Sequence, residues 1–311
     1  MAALGFIGLG MMGTTISKRL LAAGQQVYGY NRTSSRTEAL IPYGLIACDS
    51  IKDVLSKANI VFVSLLDNDA SREVFYGPGG ILEHIHENTI IVDTSTISPD
   101  QSKSTAEDVR SKGGDMVDCP ISGNPVNIAN GMASTMVGGR RETFDRIYST
   151  LLLIGRKASY VGENGKGLAM KISVNLNLAI QIQGFAEAVL LAEKSGIPRK
   201  VAVEVLTGSA IASPNITSRG PRILAMPEGS QDRFPTFMMQ KDVNLALSMA
   251  RDVNVPLPAT SLCNDLLTET RTNGWADEDF AALFFTLRAM AGCPIEELPR
   301  TNSTSISSNE K

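Results

Sequence analysis

Two histidines and four cysteines are the only imidazole and thiol groups in 311 residues, and neither set is arranged to hold a metal. His84 and His86 lie in the loop-like stretch Glu83-His84-Ile85-His86-Glu87, and Cys48, Cys119, Cys263 and Cys293 are scattered without ligand spacing. Zinc chemistry and a disulfide framework are therefore disfavoured, no metal is expected, and the cysteines read as reduced thiols. Charge of one sign is lacking too. Twenty-nine Lys and Arg against 32 Asp and Glu leave a net charge of -3, so no broad basic field is offered to a nucleic acid. No apolar run approaches the roughly 20 residues of a membrane span. The chain passes straight into a strand-like run, so neither a signal peptide nor membrane association is expected, and a soluble, cytoplasmic protein is.

What is present is length for two domains and a change of pattern between them. Strand-like apolar runs at 4–7, 26–30, 60–66, 89–92, 115–119, 134–137 and 158–160 alternate with helical segments as far as Gly162. This predicts an α/β, Rossmann-like, doubly wound and mostly parallel sheet covered on both faces. From Gly167 to about Lys194 there is no proline and apolar residues recur at helical spacing, so one helix of some seven turns is expected. Further helical stretches near 199–206, 240–252, 261–272 and 277–290 make the second domain all helical. The division predicted is a nucleotide-binding domain at 1–162, a helical substrate and dimerisation domain at 163–295, and a polar, serine-rich, disordered tail at 296–311.

The first apolar run ends in Gly8-Leu9-Gly10-Met11-Met12-Gly13, and helical spacing follows at once. In this order Gly8 permits a tight turn, Gly10 lets backbone amides approach a pyrophosphate, and Gly13 lets helix and strand pack closely, with phosphate at the positive end of the helix dipole. The second run should then end in an acidic residue for a ribose 2′-hydroxyl. The chain reads Asn31-Arg32-Thr33 instead. A guanidinium pairs with a 2′-phosphate through a planar fork and no carboxylate repels it, which favours NADP(H) over NAD(H). The alternative is a solvated arginine in a polar loop with Ser34, Ser35 and Arg36.

Three further constellations carry chemistry. Asp93-Thr94-Ser95-Thr96 places hydroxyls at the carboxyl edge of the sheet, either to hold the nicotinamide ribose or amide or to cap a helix starting near Pro99. Leu65 and Leu66, where the run at 60–66 ends, are also taken as cofactor contacts. Asp118-Cys119-Pro120-Ile121-Ser122-Gly123-Asn124 forms either a small concavity for a carboxylate or an ordinary turn. On the long helix, Lys171 and Asn175 are four apart and share a face, while Ile172, Leu176 and Ala179 turn to the core. Lone lysines on amphipathic helices are mostly solvated. The apolar flanks of Lys171 would half-bury its ammonium, and a partly buried ammonium is suited to hand a proton to a carbonyl oxygen as hydride arrives at carbon. Asn175 could hold that oxygen or orient the lysine.

With these motifs in order, from Gly5 to about Met290, the chain resembles the β-hydroxyacid dehydrogenase family, which includes 3-hydroxyisobutyrate dehydrogenase and the glyoxylate/succinic semialdehyde reductases. Four motifs in order carry the resemblance: Gly8-Leu9-Gly10-Met11-Met12-Gly13, Asp118 to Gly131, Gly167 to Asn175, and Lys241-Asp242-Val243-Asn244-Leu245-Ala246. The resemblance implies that Lys171 is the general acid/base and Asn175 a substrate-binding asparagine, while Ser122 and Gly123, with Asn124 beside them, grip the substrate carboxylate. It further implies that Thr96 contacts the cofactor and that Lys241 lies near the nicotinamide end with Asp242 as its partner. A homodimer or homotetramer acting on a small carbonyl compound or hydroxy acid is implied as well, and the Asn31-Arg32-Thr33 loop is similar to that of the NADPH-preferring glyoxylate and succinic semialdehyde reductases.

The chain departs from the family at Ser122-Gly123-Asn124-Pro125, where glycine or serine usually follows the Ser-Gly pair and the proline removes a backbone donor. Phe234, Phe237, Met238 and Met239 read as a greasy pocket wall or as core, and Trp275 as a pocket-closing residue or as packing. Two other readings stay open. Imine reductases share the architecture but usually carry aspartate or tyrosine where this chain has Lys171. A non-catalytic dehydrogenase-like binding module would have lost the lysine or a glycine, and neither is lost.

Overall fold

The computed structural model describes residues 3–227 and 233–294, together with the backbone of 300–301. The chain divides into two compact units, 1–171 and 172–311. This division falls nine residues beyond the 162/163 boundary predicted, because the first turn of the long helix packs within the first unit.

The first unit is built on nine strands: β1 (Leu4–Ile7), β2 (Val27–Tyr30), β3 (Ile46–Ala47), β4 (Ile60–Val63), β5 (Ile90–Asp93), β6 (Asp115–Asp118), β7 (Ile121–Ser122), β8 (Ser134–Gly138) and β9 (Lys157–Gly162). Their order is β3-β2-β1-β4-β5-β6-β8-β7, with β9 beside β8. Strands β1 to β6 pair in parallel, whereas β8 runs antiparallel to β6 and β7. The reversal has a local cause. Between β6 and β8 the chain holds only β7 and the five-residue helix Pro125–Ala129, not a full crossover helix. All seven strand-like runs contain a strand; the two-residue strands β3 and β7 are too short to show a period.

Alternate residues of each central strand enter different cores. Phe6, Phe62, Val92 and Val117 lie in one cluster, and their neighbours Ile7, Val61, Val63, Ile91 and Met116 in another. Period two with both sets buried is what a sheet covered on both faces requires. The Phe6 and Phe62 rings, in register on β1 and β4, stack at 5.8 Å, and each fully buried side chain contributes about 1.5–3 kcal/mol.

The long helix spans Lys166–Lys194. Leu168, Ile172, Asn175, Ala179, Ile182, Ala186 and Val189 are buried along it at alternating spacings of four and three. Leu176, predicted on the core face, is only half-buried, and Asn175 takes the buried position. By length and composition this is the one described helix that could cross a membrane, with a mean hydropathy of 1.3 over its most apolar 18 residues. A search for unbroken apolar runs overlooks it, because asparagines and glutamines interrupt the apolar residues without adding charge. Its stripe from Ala179 to Val189 is occupied by the second core, among Met239, Val243, Cys263, Leu267, Phe280 and Phe284.

The remaining helices of the second unit are Arg199–Thr207, Pro214–Arg219, Thr236–Asp252, Pro258–Thr270 and Leu283–Met290, with short 3-10 and π turns between some of them. The helix predicted from 240 begins four residues earlier, after Pro235, where Thr236 donates its amide to Glu278 O. The stretch predicted as one helix at 277–290 splits into a 3-10 turn, Phe280–Ala282, and the last helix. Of the predicted tail, Arg300–Thr301 pairs in parallel with Met226–Pro227; 296–299 and 302–311 lie outside the described residues.

Candidate active site

The turn after β1 is closed by its glycines. Gly8 has φ 90°, and a Cβ there would lie 2.3 Å from Ser64 O; one on Gly13 would lie 2.0 Å from Gly8 O. Around Gly10 the nearest atom is Arg36 Nη1 at 3.6 Å, so this side of the turn is open. The helix Met11–Ala22 starts at Gly10 without a side-chain cap, which leaves backbone amides for a pyrophosphate to cap. Met11 is exposed and Met12 half-buried at this end, while Leu9 is buried. The residues fit a dinucleotide.

Asn31, expected among the cofactor-binding residues, has both ends of its amide engaged within the loop and the glycine turn. Its Oδ1 accepts from Leu9 N at 2.8 Å and its Nδ2 donates to Thr33 O at 3.0 Å, so it braces the glycine turn. Arg32 is 80% exposed in its side chain and pairs with Glu73 at 2.9 Å. Arg36, read from sequence only as a loop neighbour, stands beside Gly10 and adds a second guanidinium to this corner. Thr33 is exposed.

Strands β1, β4, β5 and β6 are adjacent and parallel, so the turns that follow them share one edge, and the order reverses at β1, where ligands of open sheets bind. There Asp93 Oδ1 accepts from Ser95 N and Ser95 Oγ accepts from Leu65 N, both at 2.9 Å. Ser95 does not cap the following helix, Pro99–Ser111, whose N-cap is Ser98. Its hydroxyl braces Leu65; Leu66 is 50% exposed and Thr96 half-buried. Asp93 and Asp118 are register partners, each 1% exposed, and burial pushes both carboxyls up to about 6. Asp118 Oδ1 accepts from Gly165 N at 2.7 Å and Oδ2 from Leu168 N at 2.9 Å, at the start of the long helix.

At the substrate turn Ser122 is half-buried, and among the described residues its hydroxyl makes no hydrogen bond. Gly123 has φ 141°. Asn124, expected at the substrate, caps a helix: its Oδ1 accepts from Asn127 N at 2.8 Å, and Asn127 Oδ1 accepts from Asn124 N at 3.1 Å. Pro125 falls at the first helical position, where a missing N–H costs nothing, so the departure from the family pattern starts a helix.

Lys171 is half-buried on the long helix. One turn on, Asn175 is 1% exposed; its Nδ2 donates to Asp242 Oδ2 at 2.5 Å and, among the described residues, its Oδ1 has no hydrogen-bond partner. Lys241 Nζ lies 3.1 Å from Asp242 Oδ1, so Asp242 bridges the asparagine and this second lysine. Sequence reading paired Asp242 with Lys241 only, because a contact across 67 residues leaves no local signal. Phe237 and Met238 are half-buried beside Lys241, Met239 is core, and Trp275 packs edge-on to Phe285 in the second core.

Residues 3–162 match the family described as the NAD binding domain of 6-phosphogluconate dehydrogenase. Residues 165–287 match the one described as NAD-binding of NADP-dependent 3-hydroxyisobutyrate dehydrogenase. The chain is 32% identical to 2-hydroxy-3-oxopropionate reductase of Escherichia coli (strain K12), over 93% of this chain and 98% of that protein. It is 31% identical to glyoxylate/succinic semialdehyde reductase 1 of Arabidopsis thaliana, over 90% and 96%. The structure of the Mycobacterium tuberculosis 3-hydroxyisobutyrate dehydrogenase with L-serine is similar at a TM-score of 0.83 and 27% identity, covering 93% of this chain and 99% of that one. With the glycine turn, the strand-end loops and the lysine helix in the family's order, the chain belongs to the β-hydroxyacid dehydrogenases, oxidoreductases that act with a nicotinamide cofactor on the CH–OH group of small hydroxy acids.

Proposed function

We propose that the chain is an NADP(H)-dependent reductase of a small aldehyde or keto acid, of the glyoxylate or succinic semialdehyde type, with Lys171 as general acid in reduction and general base in oxidation. The observation that carries this is Lys171, half-buried on the long helix, one turn before an asparagine whose buried oxygen has no hydrogen-bond partner among the described residues. A buried acceptor without a partner is costly, and a substrate hydroxyl would satisfy it.

When bound, a nicotinamide cofactor would supply the hydride. Gly8, Gly10 and the first amides of the helix Met11–Ala22 would hold its pyrophosphate, and Arg32 with Arg36 would hold a 2′-phosphate; the exposed Glu73 partner contributes little and can be displaced. The Ser122 hydroxyl and the Gly123 turn receive the substrate carboxylate. Lys171 delivers a proton to the carbonyl oxygen as carbon gains hydride, and Asp242 keeps the Asn175 amide turned so that its oxygen stays available.

Replacing Lys171 by alanine lowers kcat about 10²–10⁴-fold, the usual share of a positioned acid, and leaves the NADPH dissociation constant unchanged. Steady-state assays with glyoxylate and succinic semialdehyde, together with cofactor titration, measure both. Near-normal turnover of Lys171→Ala overturns the assignment.

A further inference from the structure

We infer that Asp118 is a positioning residue for Lys171: its carboxylate, at the end of β6, ties down the first turn of the helix that carries the amine. This rests on the reading of Lys171 as the acid.

The helix Lys166–Lys194 begins after Gly165, which has no side chain to accept from the first amides. Asp118 supplies the missing acceptors from 47 and 50 residues away, through Gly165 N at 2.7 Å and Leu168 N at 2.9 Å. The hydrogen bonds and the helix dipole oppose the burial that raises this carboxyl, so they recover part of what ionising it costs.

The fit around it is close. A Cβ on Gly138 or on Gly167 would stand 2.7 Å from Asp118 Oδ2, so it takes glycine at both positions to let the carboxylate lie against the helix start. The turn before the helix is braced a second time: Asn164 Nδ2 donates to Met116 O at 2.9 Å, and Arg110 bonds both Asn164 Oδ1 and Asp115 Oδ1. Lys171 sits one turn past Leu168. Its place relative to the sheet edge is therefore set by β6, the strand that leads directly into the Ser122-Gly123 turn, and one short strand end holds the acid and the carboxylate-binding turn in fixed relation. Catalysis is sensitive to such placement, since displacing a catalytic group by about 1 Å costs on the order of 10²-fold.

The test compares Asp118→Asn, which offers one acceptor where the carboxylate offers two, and the milder Asn164→Ala, each in the full chain and each with and without Lys171→Ala. Thermal melting establishes that a variant is folded. Acetylation of Lys171 by acetic anhydride, followed by mass spectrometry against the exposed Lys112, reports the surroundings of the amine without any substrate. The expected result for Asp118→Asn is an acetylation rate changed at least ~3-fold and kcat lowered about 10-fold or more, with KM and the NADPH dissociation constant held within ~2-fold and no further loss in the Lys171→Ala background. Asn164→Ala gives the same pattern more weakly and decides the matter if Asp118→Asn does not fold. Unchanged acetylation, or equal loss of kcat with and without Lys171, overturns the inference. A changed acetylation rate with unchanged kcat supports the tether and instead removes Lys171 from its catalytic role.

Discussion

At the scale of single residues, several polar side chains of the expected site hold its turns together: Asn31, Ser95 and Asn124 each have an oxygen committed to a backbone amide. Arg32 is exposed, paired with Glu73, and the proposed choice of cofactor turns on it. Replacing Arg32 by aspartate removes a phosphate donor and sets a second carboxylate beside Glu73, so the ratio of kcat/KM for NADPH over NADH falls by at least ~10-fold. Parallel assays with the two cofactors measure this, and a preserved preference would move phosphate recognition to Arg36 alone.

At the scale of the element, the long helix does two things with one stripe. Its first turns carry Lys171 and Asn175, and the turns beyond Ala179 are core. Ile182, 1% exposed, sits among the second core cluster. Truncation to alanine removes its contacts and leaves a cavity, at a cost of about 2–5 kcal/mol. Urea unfolding measures the loss; a change under ~0.5 kcal/mol would mean that this face is not core. The helix itself was legible in the sequence, as a proline-free stretch with apolar residues at helical spacing. The buried polar place of Asn175 within it was not, because the stripe is apolar on both sides and only the opposing Asp242 gives an amide reason to be there. The short strand β7 and the helix Pro125–Ala129 were illegible for a different reason, being too short to display a period.

At the scale of the whole molecule, two buried carboxylates make stability depend on pH. In the unfolded chain Asp93 and Asp118 lose their protons near the ordinary value of 3.8, whereas in the folded chain burial delays this to about 6. Between those values the native state binds more protons, so stability falls as pH rises through the window and is flat above it. Glu193 works the other way: Arg199 and Arg288 hold its carboxyl below the ordinary 4.5, so its contribution is lost only in more acid solution. Lowering pH from 7.5 to 5.5 is expected to raise Tm by a few degrees. Asp93→Asn, which removes the charge whose Oδ2 has no partner, raises Tm at pH 7.5 and flattens this rise. Scanning fluorimetry across the range checks it, and a Tm that falls between pH 7.5 and 5.5 contradicts it.

Sequence alone determined the class of fold. The glycine turn, the buried strands and the long helix write themselves in residues a few positions apart, through side-chain periods and backbone sterics. Tertiary structure alone decided which carboxylates meet which donors: Asp118 with the amides at the start of the lysine helix, Asp242 with the Asn175 amide, Glu73 with the Arg32 guanidinium. These partners are 41 to 67 residues apart. Their pairing follows from strand order and helix packing, and no local pattern in the chain encodes either.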